Sequence, residues 1–514
     1  MIIILTYQKN FLINEEKTAM NTTTEILPEV KTFLSEKASK AYIGGKWVSA
    51  EKGLTFKTYD PGSGELLAEV PNMGIDDIDK SVNAATKAFQ SSGWAEMKPE
   101  KRNVYLNHLA DALEQHKFII AQIESLDAGK ILSQAEGDIE NFINTLRYYI
   151  KLSLEVQKRT PLNVEGVEAS TVRLPLGPCG FIIPWNFPML LVGWGISPAL
   201  ASGNTVIIKP AEDTPLSTLY LAKLAEEVGI PDGVINVVTG LGETAGAALA
   251  NHPGLKKLSF TGSPEVGKIV AEACAKNLVP VKLELGGKGA AIVFDDVDIE
   301  ATATDLVNAI TFHSGQVCCD ATRWIVHESI FDRFTTACVQ KMKNIKIGYQ
   351  LDSTSQMGPV VSSKQQSRIK DYLKRGQDEG ATIVPGSDVA IIPMGNGSYI
   401  KPTLLSGSLD NVAAREEIFG PVAFLTPFDN EEQGIALANN TEYGLANSVW
   451  SKDLDRASRV AEKLVAGNSW INAHNLFYQG IPYGGINKSG LGGGVLSSET
   501  FMDYMRGLSV VRPI

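Results

Sequence analysis

The sequence predicts an α/β protein organised around a parallel, doubly wound sheet. Between residues 179 and 287, five strand-like runs alternate with four helical stretches. A second alternation of the same kind begins near residue 289 and continues to residue 472. A polar, β-like segment at residues 159–178 separates the first alternation from a largely helical region before it. We therefore expect ligand sites at the carboxyl ends of the first set of strands.

The composition limits the classes of protein that the chain can belong to. Its 514 residues favour two or three domains, and 47 basic against 58 acidic residues give a net charge of −11. Without a concentrated basic run, this charge disfavours nucleic acids and anionic membranes as partners. The five scattered cysteines lack metal-ligand spacing and fit a reducing compartment. We expect a cytoplasmic protein without a metal.

The N-terminus predicts neither a membrane span nor a signal peptide. Its apolar run is about five residues, against the roughly 20 that a transmembrane helix needs. It also lacks a basic n-region and a small-residue cleavage site. Met20 is an equally good start, so residues 1–22 are expected to form a flexible extension.

The region before residue 159 combines hairpins with long helices. Residues 41–70 alternate strand-like runs with Gly and Asp-Pro-Gly turns, which is typical of β-hairpins. Apolar residues at helical spacing then predict helices at Asp76–Gln90, Pro99–Gln115, Phe118–Gly129 and Gln134–Lys158. Asp76 or Asp77 is the expected N-cap of the first of these helices.

The two alternating regions can be divided into elements from their patterns. In the first, the predicted strands are CGFIIPW (179–185), NTVIIKP (204–210), GVINVVTG (233–240), KKLSFTG (256–262) and VPVKLELGG (279–287). Its predicted helices are Pro188–Ala201, Ser217–Val228, Thr244–Asn251 and Pro264–Lys276. In the second, AAIVF, RWIVH and WIN are strands, with helices at Asp298–Phe312 and Ile330–Lys343. GLSVVRP (507–513) is a candidate final strand.

Two features indicate chemistry. GLGETAG (240–246) and GSPEVG (262–267) are glycine-containing turns that open helices, whose first amides could bind a pyrophosphate, although tight turns need glycine for backbone reasons as well. FHSGQVCCDATR (312–323) places a cysteine after a Gly-Gln turn. A thiolate is a strong nucleophile, but most cysteines are small buried hydrophobes.

Seven motifs together resemble the aldehyde dehydrogenase superfamily. They are PWNFP (184–188), KPAEDTP (209–215), SFTGS (259–263), LELGGK (283–288), GQVC (315–318), EEIFGPV (416–422) and PYGG (482–485). The likeness extends from about Tyr42 to Val511. It implies a Rossmann-like NAD-binding domain, an α/β catalytic domain and a small β oligomerisation arm.

The resemblance also implies where the domains begin and end. The NAD-binding domain is expected at residues 23–156 and 176–285, and the catalytic domain at residues 286–486. The oligomerisation arm is expected at residues 157–175 and 495–514, and it implies a homodimer or homotetramer.

By resemblance, Cys318 is the catalytic nucleophile, Glu284 the general base, and Asn186 an oxyanion donor acting with the backbone N–H of Cys318. The reaction implied is oxidation of an aldehyde through a thiohemiacetal and a thioester that water hydrolyses. Cys319 is expected to line the pocket as a packing residue without chemistry. The acid and the reduced cofactor would be the products, and no metal is needed.

The family motifs also imply a cofactor site. Lys209 and Glu212 match the pair that contacts the adenosine ribose, and a carboxylate there favours NAD over NADP, although relatives with a glutamate can use both. Gly262 and Ser263 would approach the pyrophosphate, and Glu417 and Phe419 the nicotinamide ribose and ring. The full set implied is Ile182, Pro184, Trp185, Lys209, Ala211, Glu212, Gly242, Phe260, Gly262, Ser263, Leu285, Gly286, Glu417 and Phe419.

The substrate tunnel implied by the family is apolar and rich in aromatic residues. Its positions in this chain are Phe187, Met189, Leu190, Trp194, Phe312, Val317, Cys319, Asn475, Phe477 and Tyr483. Without an evident Arg or Lys, the set favours an aromatic or medium-chain aliphatic aldehyde. Two alternatives stay open. One is an amino-aldehyde of the betaine type, because aromatic rings bind ammonium groups, and the other is a semialdehyde.

One departure and two alternatives accompany the resemblance. Where the family commonly has Arg-Glu after PYGGINKSGLG, this chain has further glycines (492–494), so the details of assembly are in doubt. A non-catalytic member of the fold would be free to lose Cys318, Glu284 and Asn186, and all three are present. A coenzyme A-acylating enzyme would not need Glu284, whereas a secondary esterase activity is compatible with the same cysteine.

Overall fold

The computed structural model describes residues 23–386 and 396–514, so the expected extension at residues 1–22 lies outside the described residues. Within them, the strands are β1 Ala41–Ile43, β2 Lys46–Val48, β3 Thr55–Tyr59, β4 Leu66–Pro71, β5 Arg159–Leu162, β6 Val167–Pro175, β7 Pro178–Ile182, β8 Thr205–Lys209, β9 Ile235–Val237, β10 Lys257–Thr261, β11 Val281–Glu284, β12 Gly289–Val293, β13 Ala321–His327, β14 Thr382–Ile383, β15 Thr403–Ser406, β16 Val422–Phe428, β17 Ala446–Trp450, β18 Asn468–Ile471, β19 Gly490–Leu491 and β20 Met505–Pro513.

The α-helices of the described residues connect and cover these strands. They are α1 Pro28–Glu36, α2 Ile75–Ser91, α3 Pro99–Gln115, α4 Lys117–Ala128, α5 Leu132–Glu155, α6 Pro188–Ala201, α7 Leu216–Glu227, α8 Ala247–Ala250, α9 Pro264–Lys276, α10 Ile299–Thr311, α11 Phe331–Lys343, α12 Ser363–Asp378, α13 Val412–Arg415, α14 Glu431–Asn439, α15 Leu454–Ala461 and α16 Ser498–Met502. A π-helical turn, Gly242–Gly246, precedes α8, and 3₁₀ turns lie at Phe312–Gly315, Glu328–Ile330 and Asn487–Ser489.

The strands that the described residues contribute form two main sheets. The first has the order β19-β11-β10-β7-β8-β9-β1-β2, and its β11, β10, β7, β8 and β9 are parallel neighbours. The second has the order β14-β15-β16-β13-β12-β17-β18. This arrangement confirms the predicted α/β class, because parallel neighbours require the helical crossovers that the sequence pattern indicated.

Two smaller sheets complete the described structure. β3 and β4 form a hairpin, and β20 pairs along its whole length with β6, which in turn pairs with β5. The segment at residues 159–178 and the chain's last strand therefore meet in one three-stranded sheet, with exposed apolar residues such as Val510 and Val511 on it. The domain boundaries and an oligomerising role for this sheet stay predictions.

The N-cap prediction for α2 was wrong. The helix begins one residue earlier, and Gly74 is its N-cap. Asp77 lies at the third helical position, where its carboxylate accepts hydrogen bonds from the backbone N–H groups of Gly74 and Glu51. An acidic side chain can satisfy free amide groups from inside the first turn, so a sequence pattern does not distinguish the two positions.

The C-terminal residues return to the first sheet. β19 pairs antiparallel with β11, at the strand that ends in Glu284. Phe501 and Tyr504 are buried in the same core as Phe181 and Leu200. Tyr504 also accepts a hydrogen bond at its carbonyl from the Asn204 side chain. The end of the chain therefore covers the inner face of the first sheet.

Candidate active site

Cys318 follows a turn with an unusual backbone. After α10 ends, His313, Ser314 and Gly315 have φ angles of 44°, 55° and 69°, in the left-handed region. A Cβ on Gly315 would lie 2.3 Å from the carbonyl carbon of Gly420, so only glycine fits between the two loops. The backbone therefore turns sharply just before Cys318 and holds it against the loop of residues 416–422.

The surroundings of Cys318 favour its thiolate. Its pKa is lowered, first by a hydrogen bond from the thiol of Cys319 and then by the Tyr483 hydroxyl, whose oxygen lies 3.7 Å from the sulfur. Burial opposes both effects, and the backbone N–H of Cys318 itself helps to lower the pKa. Since a thiolate is the reactive form, the arrangement prepares a nucleophile. Cys319, expected only to pack, thus also donates a hydrogen bond.

Glu284 lies at the end of β11, and with Cys318 it lines one cavity of about 30 Å³. Burial raises the pKa of its carboxyl well above the ordinary value, Lys282 opposes this shift, and Cys318 adds to it. Neither carboxyl oxygen has a hydrogen-bond partner among the described residues. A proton acceptor of raised pKa beside a nucleophile is suited to general base chemistry.

Asn186 brings a side-chain donor to the same turn. It is 3% exposed, and its Nδ2 donates a hydrogen bond of 2.9 Å to the carbonyl of Gln316, two residues before Cys318. One N–H of an amide remains after that bond, because the group has two. The structure therefore unites the three residues expected to act together, while their individual roles stay predictions.

The residues expected around the adenosine ribose lie together at the end of β8. Lys209 is buried, and its Nζ lies 3.3 Å from a carboxylate oxygen of Glu212, which is 40% exposed. Burial lowers the pKa of Lys209, and Glu212 opposes that shift. The turn Gly242–Gly246 approaches both: a Cβ on Gly242 would lie 4.0 Å from Glu212, and one on Gly246 3.8 Å from the Lys209 side chain. Because the Glu212 side chain is only partly buried, its carboxylate can still accept hydrogen bonds from a ribose diol.

The other cofactor-site predictions surround this edge of the sheet. Ser263 caps α9, with its hydroxyl accepting from the backbone N–H of Val266. Ile182, Phe260 and Leu285 share the hydrophobic core on the face of the sheet that carries α8 and α9. Pro184, Ala211 and Gly262 follow the ends of β7, β8 and β10.

Glu417 and Phe419 connect this edge to the loop before β16. Glu417 accepts a hydrogen bond of 2.8 Å from the backbone N–H of Gly287, and burial raises its pKa to about 7. A Cβ on Gly286 would lie 2.2 Å from its carboxylate, so a larger residue there would displace the Glu417 side chain. The Phe419 ring meets Trp185 edge-on at 5.2 Å between centroids. A carboxylate and two aromatic rings thus lie beside this edge of the sheet, where the nicotinamide part of the cofactor is expected.

An apolar group of side chains packs around Cys318. Its rings are in mutual contact, with centroid distances of 5.1 Å for Phe477 and Tyr483 and 5.5 Å for Trp194 with each of them. The predicted residues found in it are Phe187, Leu190, Trp194, Phe312, Val317, Cys319, Phe477 and Tyr483. Asn475 joins them, with its Oδ1 3.2 Å from the Cys319 sulfur.

Met189 does not belong to this group. It is fully buried in the core between α5 and the first sheet, and its backbone N–H donates to Glu124. Leu191 lies beside Trp194 and Cys318 instead. The reason is helical phase, because α6 turns residues 187, 190, 191 and 194 to one face. The sequence pattern of α6 is apolar all round and could not show this face.

Three residues around the candidate site were not identified from the sequence. His474 places its Nε2 3.0 Å from both the backbone N of Ala321 and the carbonyl of Cys319, and burial lowers its pKa to about 4. Lys282 lies two residues before Glu284 on the same strand face. Val495 lines the cavity from the C-terminal segment. A lysine two residues before LELGG's glutamate was the one signal visible in the sequence.

The described residues show neither a metal-binding cluster nor a membrane-spanning helix. In residues 23–386 and 396–514 there is no group of three or more His, Cys, Asp or Glu side chains placed to hold a metal ion. In the same part of the chain, none of the helices is both long and apolar enough to cross a membrane.

Comparisons with known proteins agree with this geometry. The model of the aldehyde dehydrogenase family matches residues 47–510. A phenylacetaldehyde dehydrogenase of Pseudomonas fluorescens is 40% identical over 460 residues, covering 88% of this chain and 91% of the relative.

Two solved structures have the same fold. The NAD+ complex of an aldehyde dehydrogenase from Bacillus cereus has a TM-score of 0.92 and 39% identity, covering 96% of this chain and 100% of that one. A betaine aldehyde dehydrogenase from Staphylococcus aureus, also in complex with NAD+, has a TM-score of 0.91 and 34% identity, covering 94% and 97%.

Proposed function

The chain belongs to the aldehyde dehydrogenase family, and we propose that it oxidises an aromatic or medium-chain aliphatic aldehyde to the carboxylic acid with NAD+. The observation that carries the choice of substrate is the aromatic group beside Cys318. Trp194, Phe477 and Tyr483 contact one another, and Phe187 stacks on Phe312 at 6.2 Å. Such rings favour flat or aliphatic apolar groups.

The charges around the cavity support the same choice. Apart from Glu284 and the thiolate form of Cys318, its lining has no charged side chain: Phe181, Ile183, Leu191, Trp194, Gly195, Ser259, Thr261, Leu285, Leu445, Tyr483 and Val495. An acid semialdehyde would bring a further carboxylate near these two anions without a cation in the lining to bind it, so we rank it below the apolar substrates.

A cationic amino-aldehyde is the second candidate. The observation that favours it is the same set of rings, because the faces of Trp194, Phe477 and Tyr483 could surround an ammonium group. The similar fold of a betaine aldehyde dehydrogenase is compatible with that substrate class.

In the mechanism, Cys318 attacks the aldehyde carbonyl as a thiolate. Its lowered pKa increases the fraction of this reactive form at a given pH. Asn186 and the backbone N–H of Cys318 stabilise the oxyanion, an effect of about 3–4 kcal/mol for one such donor in comparable sites. Glu284 then takes a proton from the water that hydrolyses the thioester of Cys318. When bound, NAD+ supplies the hydride acceptor that the oxidation requires.

The residues at the end of β8 fit NAD. Glu212, paired with Lys209, would accept hydrogen bonds from the ribose hydroxyls, and its carboxylate would repel a 2′-phosphate. The first turn of α9 at Ser263 offers free amides to a pyrophosphate. Glu417 would bind the second ribose, while Trp185 and Phe419 border the opening for the ring. NADP remains a weaker substitute.

We also propose a cytoplasmic homodimer or homotetramer. The cysteines of the described residues are all free, which suits a reducing compartment. The exposed apolar residues of the three-stranded sheet, Leu162, Val510 and Val511 among them, support burial against a second copy.

An aldehyde panel tests the proposed function. NADH formation at 340 nm would be followed with phenylacetaldehyde, benzaldehyde, hexanal, succinic semialdehyde and betaine aldehyde, each with NAD and with NADP. We expect the highest kcat/KM with NAD and one of the first three. Turnover of only the semialdehyde or only betaine aldehyde would contradict the substrate class, and no turnover with any aldehyde would contradict the enzyme.

A further inference from the structure

Glu284 is isolated from solvent by its position. Its side chain is 8% exposed, and both carboxyl oxygens lack a partner within the described residues. If it serves as the proposed base, it must take up one proton from water in each turnover and release that proton before the next. The release needs a route through the protein, because the carboxyl does not face bulk water.

The strand register provides a row of polar side chains that begins at Glu284. β10 and β11 are parallel, with Glu284 opposite Thr261 and Lys282 opposite Ser259. Alternate residues of a strand face the same side, so these four side chains share one face of the sheet. The cavity beside Cys318 is lined by Glu284, Thr261 and Ser259. Its volume of about 30 Å³ can hold one or two water molecules.

Lys282 continues this row to the surface. Its side chain is 1% exposed, its Nζ donates a hydrogen bond to the carbonyl of Gly494, and it lies 3.2 Å from the carboxylate of Asp503. The Asp503 side chain is 39% exposed. A fully buried cation thus lies between the polar face that carries Glu284 and a carboxylate that reaches solvent.

Two glycines lie beside the residues that surround Lys282 and Glu284. A Cβ on Gly494 would lie 2.3 Å from the carbonyl of Tyr483, and one on Gly195, in the cavity wall, 2.8 Å from the Phe181 ring. Neither position can carry a longer side chain without a shift of its neighbours. The family's Arg-Glu pair is replaced by glycine here, and the Lys282–Asp503 ion pair lies against that segment.

The other ionisable groups that face the pair are few. Glu284 is faced by Lys282 from its own strand, by Cys318, and by Tyr483 from the loop before β19. Lys282 is faced by Asp503 and Tyr504 from the C-terminal segment and by Lys257 from β10. Cys179 from β7 lies beyond Tyr504. Of these, only Lys282 lowers the pKa of Glu284, which burial raises.

Building on the base role proposed for Glu284, we propose that Lys282 keeps this carboxyl ionised and, with Asp503, forms the exit for its proton. Hydrolysis transfers one proton from water to Glu284, adds the hydroxyl to the thioester carbonyl carbon, and breaks the C–S bond so that Cys318 leaves as thiolate. Lys282 first gives one of its ammonium protons to Asp503, which releases that proton to solvent, and the neutral amine then takes a proton from cavity water that has received the proton of Glu284. Lys282 is a positioning residue, since it acts through Glu284.

The test measures hydrolysis of the acyl group directly. 4-Nitrophenyl acetate would acetylate Cys318 in the full-length protein without NAD, and the loss of the acetyl group would be followed by rapid-quench mass spectrometry between pH 5.5 and 9. The Lys282→Met variant should lose it about tenfold more slowly at pH 7, with a rate midpoint about one pH unit higher than in the wild type. The Lys282→Arg variant should retain the wild-type midpoint.

Two further variants separate this role from packing. Asp503→Asn should slow hydrolysis at every pH without raising the midpoint, since Lys282 stays charged. Lys257→Met removes the neighbouring lysine, whose Nζ lies 5.1 Å from the Tyr504 ring, and should leave the midpoint unchanged. An unchanged midpoint in Lys282→Met, an equal shift in Lys257→Met, or a wild-type rate in Asp503→Asn would overturn the proposal.

The same proteins distinguish this failure from failure of the proposed function. If the wild type forms NADH from the aldehyde panel while Lys282→Met hydrolyses acetyl-Cys318 with the wild-type pH profile, only the proton exit is wrong. If the wild type forms no NADH from any aldehyde, the proposed function is wrong.

Discussion

Gly287 lies so close to Cys318 that a Cβ on it would be 2.4 Å from the carbonyl oxygen of Cys318. This contact joins the loop after the strand of Glu284 to the backbone of the cysteine. Real Cβ atoms do not approach an oxygen at that distance, so the two loops can meet only where a side chain is absent. The relative placement of Glu284 and Cys318 therefore depends on Gly287, which has a hydrogen atom where any other residue has a Cβ.

Gly287→Ala should separate Cys318 from Glu284. We expect kcat/KM for the best aldehyde to fall at least about tenfold, because displacements near 1 Å in catalytic geometry have effects of that size or larger. Gly507→Ala is the matched control, since its Cβ would meet only an ordinary contact at 3.7 Å. Equal kcat/KM values in the two variants would show that the close approach does not matter.

Cys318→Ala should abolish aldehyde-dependent NADH formation and leave the Kd for NAD, measured by calorimetry, near the wild-type value. Cys319→Ala should keep turnover but raise the pKa of Cys318, because the hydrogen bond that most lowers it is lost. Iodoacetamide alkylation rates against pH report that pKa. Turnover that survives in Cys318→Ala would refute its role as the nucleophile.

Glu284→Gln should still release a burst of NADH of about one per active site and then stall at the thioester. In the wild type, the hydrolysis rate should rise with pH through the raised pKa of Glu284, since the ionised form is the base. Stopped-flow absorbance at 340 nm separates the burst from the steady rate. A wild-type steady rate in the variant would contradict the role of Glu284.

Glu212→Ser should raise the ratio of kcat/KM with NADP to that with NAD, by about tenfold, because the charge that repels a 2′-phosphate is removed. Glu243 is an exposed acid in the adjoining turn, so Glu243→Ser tests whether net charge alone has this effect. The same change of ratio in both variants would argue against a specific contact of Glu212 with the ribose.

His474 should make stability fall as the solution is acidified. Its folded-state pKa of about 4 is below the ordinary value of 6.5, so between these values the unfolded chain binds a proton that the folded chain does not. From pH 6.5 to 4 this difference costs about 3 kcal/mol of unfolding free energy. Over this pH range, the free energy of unfolding measured in urea should fall by this amount more in the wild type than in His474→Gln. Other groups, His313 included, titrate in both proteins and cancel in the comparison. Parallel losses would refute the prediction.

The sequence predicted the site through the resemblance of short motifs to a known family, and that resemblance implied the roles of Cys318, Glu284 and Asn186. The motifs themselves mark needs of the backbone: a turn, a strand end or a helix start. Such needs are visible in a few consecutive residues. The fold class was predictable for the same reason, because the alternation of strand and helix is a local pattern.

What the sequence could not predict depends on distant contacts. Lys282 gains its partners from the return of the C-terminal segment, whose Gly494 and Asp503 lie more than 200 positions away. Met189 was expected in the tunnel by its resemblance to the family's tunnel positions, and a helix that is apolar all round gives no pattern that would have corrected this. Each is decided by tertiary packing, for which neighbouring residues give no signal.

The return of the chain's end to the first sheet restricts when this protein can act during its synthesis. A ribosome releases the N-terminal parts first, and these can fold before the rest is made. The strand of Glu284 meanwhile lacks β19 beside it, and the cavity lacks Val495 in its wall. A nascent or prematurely terminated chain would contain every catalytic residue without an enclosed site.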